Sequence, residues 1–165
     1  MILESSSDKG QSEVFREIVI FEDEFSRESH KALFLLDDAC YRRNDNEIVN
    51  TILEAARSGL SKLHISAGWE NILKIAVWSS DRPLIHEVLA LIRKTGVKDE
   101  ELGPFSHSDI NDIFPWLYYS NRFDILRKVC NAAKSRIESK INSRKVLVYC
   151  HLVSEGTKKI VASSL

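Results

Sequence analysis

The stretch on which the predicted fold depends reads Leu73-Lys74-Ile75-Ala76-Val77-Trp78. A polar turn, Ser80-Asp81-Arg82, follows it, and a second apolar segment then runs from Leu84 to Leu89. Pro83 and Gly96 flank the second segment and do not interrupt it, which is typical of helix ends. This order of segments predicts two short helices joined by a turn.

The same order recurs along the chain as a short apolar segment, a polar turn, a second apolar segment and a polar or glycine exit. Ile48, Ile85, Ile125 and Ile160 occupy equivalent positions, separated by 37, 40 and 35 residues. Such periods indicate a solenoid, because one helical hairpin cannot bury its apolar face alone. We therefore predict an all-α fold, an α-solenoid of about four stacked hairpins near residues 31–60, 69–97, 109–135 and 143–165.

Several segments resemble the ankyrin repeat. Asn46-Glu47-Ile48-Val49 is similar to the start of that family's second helix, and Gly59 is similar to its exit glycine. Leu73-Lys74-Ile75-Ala76 resembles the family's Leu-His-x-Ala, and the best single match is Glu155-Gly156-Thr157-Lys158-Lys159-Ile160-Val161. The resemblance covers Leu33 to Leu165 and implies a degenerate ankyrin-repeat protein. Because no unit contains Thr-Pro-Leu-His, other helical-hairpin repeats and a non-repetitive α-bundle stay open.

The N-terminal part of the chain divides into two predicted segments. Residues 1–13 are rich in polar side chains and predict disorder. Residues 14–165 are then the helical repeat domain, in which Val14 to Phe25 predicts an amphipathic helix that covers the open end of the stack. No basic stretch followed by an apolar one marks a signal peptide.

Composition narrows the class of protein. The chain has 165 residues and a net charge of −1, so its overall charge favours neither nucleic acid nor a membrane. Cys40, Cys130 and Cys150 are odd in number and widely spaced, which predicts reduced thiols. We expect a cytoplasmic or nuclear protein, or one in the host cytoplasm if it is a secreted effector. No apolar run approaches the roughly 18 residues of a membrane-spanning helix.

Sequence motifs of catalysis are absent: there is no Gly-x-Ser-x-Gly, no His-Glu-x-x-His and no Cys-x-x-Cys. Cys150 and His151 are adjacent, and on a helix their side chains would point about 100° apart, away from a shared metal. The other histidines show no ligand spacing and are read as structural or exposed: His30, His64, His86 and His107. We therefore predict no enzymatic activity, no catalytic residue, no cofactor and no metal.

The predicted function is a protein–protein interaction scaffold or adaptor that uses the concave face and loops of the repeats. Degenerate ankyrin-like repeats also occur in effectors that bacteria deliver into host cells, which makes a host-directed effector one form of this prediction. Trp78-Ser79 and Tyr119-Ser120 end the first helix of their units, where the resemblance implies partner contacts. Trp69 precedes the second hairpin and is predicted to lie on the same side.

The alternative function is anion binding by the basic C-terminal third. From Arg127 to Lys159 the net charge is +7, whereas Met1 to Leu60 carries −6. This basic segment would contact nucleic acid or acidic lipid, and raised salt would then weaken the binding steeply.

Overall fold

A computed structural model describes residues 16–141 and 145–165. Within these residues the chain forms five strands: β1 (Glu17–Phe21), β2 (Tyr41–Arg43), β3 (Lys62–Ala67), β4 (Leu147–Ser154) and β5 (Lys159–Ser163). Of the three central strands, β3 alternates polar and apolar residues, whereas β1 and β4 contain short, nearly continuous apolar runs. Such runs are typical of parallel strands that are covered on both faces.

Helices connect and cover the strands. They are α1 (Glu24–Phe34), α2 (Ile48–Ala56), α3 (Trp69–Val77), α4 (Ile85–Lys94), α5 (Asp99–Leu102), α6 (Ile113–Tyr119) and α7 (Phe123–Ile141). Single 3₁₀ turns occur at Asp38–Cys40, Gly103–Phe105 and Ile110–Asp112. In the described part of the chain, no helix is long and apolar enough to cross a membrane.

The sheet has the strand order β2-β1-β3-β4-β5. The first four strands in this order run parallel, and β5 runs antiparallel to β4. In the parallel register Leu63 of β3 lies beside Val148 of β4, and Ser66 lies beside His151. This is an α/β fold with a mixed sheet.

The two faces of the sheet differ in chemistry. Ile20, Leu63 and Cys150 point to one face and join the apolar core, together with side chains of α2, α3 and α7. Glu17, His64 and His151 occupy the alternate positions of their strands and point to the other face. The sheet therefore has an apolar face toward most of the helices and a polar face on the opposite side.

Helix α1 lies on the polar face. Its N-cap is Asp23, whose carboxylate accepts a hydrogen bond from the amide of Ser26 at 2.9 Å. The Ser66 hydroxyl donates to the carbonyl of Ser26 at 2.7 Å, which ties the first turn of α1 to β3. The buried side chains of α1 are the small or polar Ser26 and His30, so polar contacts hold this helix.

The predicted all-α class, the solenoid and the ankyrin resemblance are wrong, because the structure has a five-stranded sheet. Residues 143–165, predicted as a helical hairpin, contain β4 and β5. Apolar runs of five to eight residues fit a buried strand as well as a helix, and here the strand is correct. The segment predicted as an N-terminal capping helix contains β1, and the predicted disorder of 1–13 lies outside the described residues.

The self-similarity of the sequence reflects real helices in part. Residues 69–97 contain α3 and α4, and residues 109–135 contain α6 and much of α7. The range 31–60 spans the end of α1, then β2, then α2. Helical periodicity was therefore detected where helices exist, and the strands between them were misassigned.

Truncation of a core side chain tests the packing. Ile52 of α2 is fully buried, whereas Ile85 at the start of α4 is only partly buried. We expect Ile52→Ala to lower the free energy of unfolding by roughly 2–5 kcal/mol, because it leaves a cavity. Ile85→Ala is the control and should cost about half of that or less. Equal losses in urea denaturation would contradict the assigned core.

Candidate metal centre

Three histidines meet between α1 and the polar face of the sheet. His30 comes from the second turn of α1, His64 from β3 and His151 from β4. His64 and His151 point to the same face, since His151 pairs with Ser66, two residues beyond His64. All three side chains are buried, with 0–3% of their surface exposed.

One nitrogen of each imidazole points toward the centre of this histidine cluster. His30 Nε2 lies 3.0 Å from His64 Nδ1, and His64 Nδ1 lies 3.4 Å from His151 Nε2. All three ligand atoms lie within 4.8 Å of one another. A tetrahedral zinc ion with Zn–N bonds of about 2.0–2.1 Å holds its nitrogens about 3.3 Å apart. Two of the three nitrogen–nitrogen distances in the cluster, 3.0 and 3.4 Å, are close to that spacing.

The other nitrogen of each ring contacts an oxygen atom. His30 Nδ1 lies 2.8 Å from the Tyr41 hydroxyl. His64 Nε2 lies 2.6 Å from the Glu17 carboxylate, and His151 Nδ1 lies 2.8 Å from the Ser163 hydroxyl. Metal-ligating histidines have outer partners of this kind, because a carboxylate or hydroxyl fixes the tautomer and orients the ring.

One assignment of protons suits both the outer contacts and a cation at the centre. If each outer nitrogen carries the hydrogen, it donates to the oxygen beside it, and each inner nitrogen keeps its lone pair. Three lone pairs then converge within a few ångströms and repel one another. A cation at the centre would remove this repulsion, and protons on the inner nitrogens are the other means of reducing it.

Burial keeps the imidazoles neutral, which is the form that binds metal. Burial, reinforced by the neighbouring histidines, lowers the pKa of His30 to about 3. The pKa of His151 falls to about 4, chiefly through burial and also through His64. Burial lowers the pKa of His64 as well, although its contact with the Glu17 carboxylate acts in the opposite direction. His64 is therefore a neutral donor to Glu17.

Phe34, at the end of α1, covers the cluster. The centroid of its ring lies 4.4 Å from that of His30, 5.2 Å from His64 and 5.1 Å from His151. The side chain is also 40% exposed. Phe34 therefore contacts all three imidazoles and solvent at the same time.

The residues predicted to bind a partner are distributed over different surfaces. Trp69 is only 7% exposed, and its indole N–H donates to a backbone carbonyl at 2.9 Å. Trp69 and the strongly exposed Tyr119 line one crevice. Trp78 and Ser79 lie at the opposite end of α3, and Ser120 is exposed just after α6. The structure thus brings two of the five predicted residues together.

Sequence spacing could not reveal the histidine cluster, because its members lie far apart on three elements. Cys150 and His151 lie on strand β4 and not on a helix, and their side chains alternate across it, so Cys150 enters the core and His151 the cluster. The usable signal was a histidine within each of two apolar strand runs, β3 and β4. His86 and His107 are exposed, in agreement with the sequence analysis.

The depressed histidine pKa values predict acid destabilisation of the metal-free protein. Unfolded histidines take up protons near pH 6.5, whereas folded His151 and His30 do so only near pH 4 and 3. The unfolded state therefore binds more protons as pH falls below about 6.5, and stability is lost progressively toward pH 4. Each unit of pKa difference is worth about 1.4 kcal/mol.

Urea unfolding of EDTA-treated protein between pH 7.5 and 4.5 measures this slope. His151→Gln should flatten it, and His86→Gln, which alters an exposed histidine, should leave it unchanged. An unchanged slope in His151→Gln would show that the cluster is not the source of the acid sensitivity.

No protein-family model, no curated protein and no solved structure matches this chain.

Proposed function

We propose that the protein binds one transition-metal ion of the zinc class through His30 Nε2, His64 Nδ1 and His151 Nε2. The observation that carries the proposal is the placement of both nitrogens of each imidazole. The inner nitrogens converge at ligand spacing, and each outer nitrogen is held by an oxygen. Without a cation, the inner nitrogens of three buried imidazoles would contact only one another, which is a costly way to fill a core.

The donor set indicates the kind of metal. Imidazole nitrogens suit Zn²⁺, and also Cu²⁺, Fe²⁺ and Ni²⁺, whereas Mg²⁺ and Ca²⁺ prefer oxygen ligands. In the described part of the chain, no fourth histidine, cysteine or acidic side chain joins the group. Three protein nitrogens with an open position form the donor set of zinc centres that bind water or a substrate.

The surrounding side chains define what the site does when loaded. A bound zinc ion supplies Lewis acidity and lowers the pKa of water in its open position. Glu17 accepts the His64 N–H at 2.6 Å and so increases the electron density on the inner nitrogen. The Phe34 ring shields the cluster and, being partly exposed, controls access from solvent.

Metal titration tests the proposal directly. We expect the EDTA-treated protein to bind one equivalent of Zn²⁺ in calorimetry. Co²⁺ bound in its place should give the visible absorption of a site of low coordination number. Removing one of three ligands should weaken binding by more than about 100-fold, so His151→Gln is the test variant. His86→Gln is the matched control. Failure to bind Zn²⁺ or Co²⁺, or equal affinity in both variants, would overturn the proposal.

The outer contacts give a second, graded prediction. Glu17→Gln keeps the size of the side chain but removes the charge that orients His64. We expect the affinity for Zn²⁺ to fall about 10- to 100-fold with one equivalent still bound. Glu28→Gln, an exposed charge on α1, is the control. Unchanged affinity in Glu17→Gln, measured by competition with a chelator, would rule out this role.

Protein binding, as the sequence suggested, stays a prediction. Tyr119 is 81% exposed and suits contact with a partner, but the concave repeat face is gone because the described fold is α/β. Anion binding by residues 127–159 is also untested, and Lys128 there is partly engaged by the carbonyl of Thr95 at 3.0 Å. The predicted absence of enzymatic activity and the cytoplasmic or nuclear location remain predictions too.

A further inference from the structure

A second site lies beyond the carboxyl ends of β1, β3 and β4, where a crevice of about 1060 Å³ opens. The first connection leads from β1 to β2 on one side of β1, and the next connection crosses back to β3 on the other side. The strand order therefore reverses between β1 and β3. Glu22 follows β1, and Gly68 follows β3, so the two residues flank this reversal of strand order. In open α/β sheets, ligands bind in the crevice at such a reversal. Gly68 follows His64 of the histidine cluster by four positions, which is about 13 Å along an extended strand.

Glu22 is fixed in the strand-end crevice through one of its two oxygens. Its Oε1 accepts hydrogen bonds from Asn71 Nδ2 at 2.5 Å and from the amide of Gly68 at 3.4 Å. For Oε2, the described residues show no hydrogen-bond donor. A Cβ at Gly68 would lie 3.1 Å from Oε2, so glycine at this position leaves the carboxylate its room. One oxygen of Glu22 is therefore oriented and free to accept a hydrogen bond.

The position of Glu22 excludes phosphate. Its carboxylate lies at the N-terminus of α3, a helix of nine residues that begins directly after β3. In α/β proteins this is where the phosphate of a nucleotide binds, because the helix dipole and free amides attract an anion. Here the protein supplies the anion itself. A phosphorylated ligand would meet a carboxylate instead of open amides.

Glu70 and Asp23, two further acidic residues of the strand-end crevice, each have a partner. Glu70 pairs with Arg82 at 2.8 Å, and Asp23 accepts the amide of Ser26 as the N-cap of α1. The Nζ atom of Lys158 lies 4.1 Å from the centroid of the Phe25 ring at the same end of the sheet. Burial is the main cause that raises the pKa of Glu22, and no cation pairs with it among the described contacts. Glu22 therefore offers an acceptor to a ligand with hydrogen-bond donors and repels an anionic one.

Aromatic rings form the opposite wall. Phe114 and Tyr118 of α6 stack with ring centroids 5.7 Å apart, and both side chains are partly exposed. Tyr119 adds a third ring beside them. A planar heterocycle can stack on such a wall, and its attached sugar would then extend toward the opposite, polar side.

We propose that the strand-end crevice binds an unphosphorylated nucleoside, with the base against Phe114 and Tyr118 and a ribose hydroxyl donating to Glu22 Oε2. The three features act together: the aromatic wall takes the base, the oriented carboxylate takes the hydroxyl, and the occupied helix terminus rejects phosphate. This site is separate from the histidine cluster and does not depend on a metal there.

Ligand titration followed by NMR or calorimetry tests this proposal, with adenosine and uridine as probes. At least one nucleoside should bind, and its 5′-monophosphate should bind at least about tenfold more weakly, as like charges at the helix terminus require. Glu22→Gln should weaken nucleoside binding about tenfold or more, since it removes a charged acceptor. Tyr118→Ala should also weaken it. Glu100→Gln, an exposed charge on α5, is the control.

The outcomes separate this proposal from metal binding. His151→Gln should leave nucleoside affinity unchanged, and absence of nucleoside binding in the unmodified protein that still takes up Zn²⁺ would sink the crevice proposal alone. Three further results would overturn it: no binding of either nucleoside, monophosphate binding as tight as nucleoside binding, or tighter binding of the cationic probe agmatine. If Glu22→Gln does not fold, Tyr118→Ala decides, because unchanged affinity there would also reject the site.

Discussion

The pairing of β3 with β4 is the constraint on which both sites depend. It is the register in which Ser66 meets His151 that points His64 and His151 to one face and their apolar neighbours to the core. A slip of one residue would reverse every side chain of a strand and bury imidazoles among the core isoleucines. Helix α1 then has a polar surface to cover, and the first turn of that helix is fixed by the hydroxyl of Ser66.

The histidine cluster has a cost in stability that the rest of the fold must offset. Three imidazoles are withdrawn from water, and their low pKa values show that burial dominates their environment. An apolar trio of similar volume would pack there without this cost. Groups that break a local rule of packing in this way are expected at functional sites. A bound cation is the simplest compensation, because it satisfies three inward nitrogens at once.

Only part of the fold could be predicted from the sequence, and the reasons are physical. Helices α3, α4 and α7 have enough turns for their periodicity to be visible. Of the apolar residues that recur at equivalent positions of the apparent repeat, Ile48, Ile52, Leu89, Ile125 and Val129 are buried, whereas Ile85 and Ile160 are only partly buried. Strands β1 and β4 carry apolar residues on both faces, besides the polar side chains on one of them, so they lack the regular alternation that identifies a half-exposed strand. The candidate site was invisible for a related reason. Its ligands are 34 and 87 residues apart, and only the correct sheet brings them together.

The origin of the ligands on α1 and on the sheet has a kinetic consequence. Two ligands belong to adjacent strands in the centre of the sheet, whereas His30 belongs to a helix held by polar contacts. Peripheral helices open locally at a lower free energy than central strands. Detachment of α1 would remove one nitrogen and the Phe34 cover together, and leave the other two nitrogens in place. The residence time of an ion would then be set by the opening of one helix and not by unfolding of the whole protein, so that exchange of the ion reports on the docking of α1.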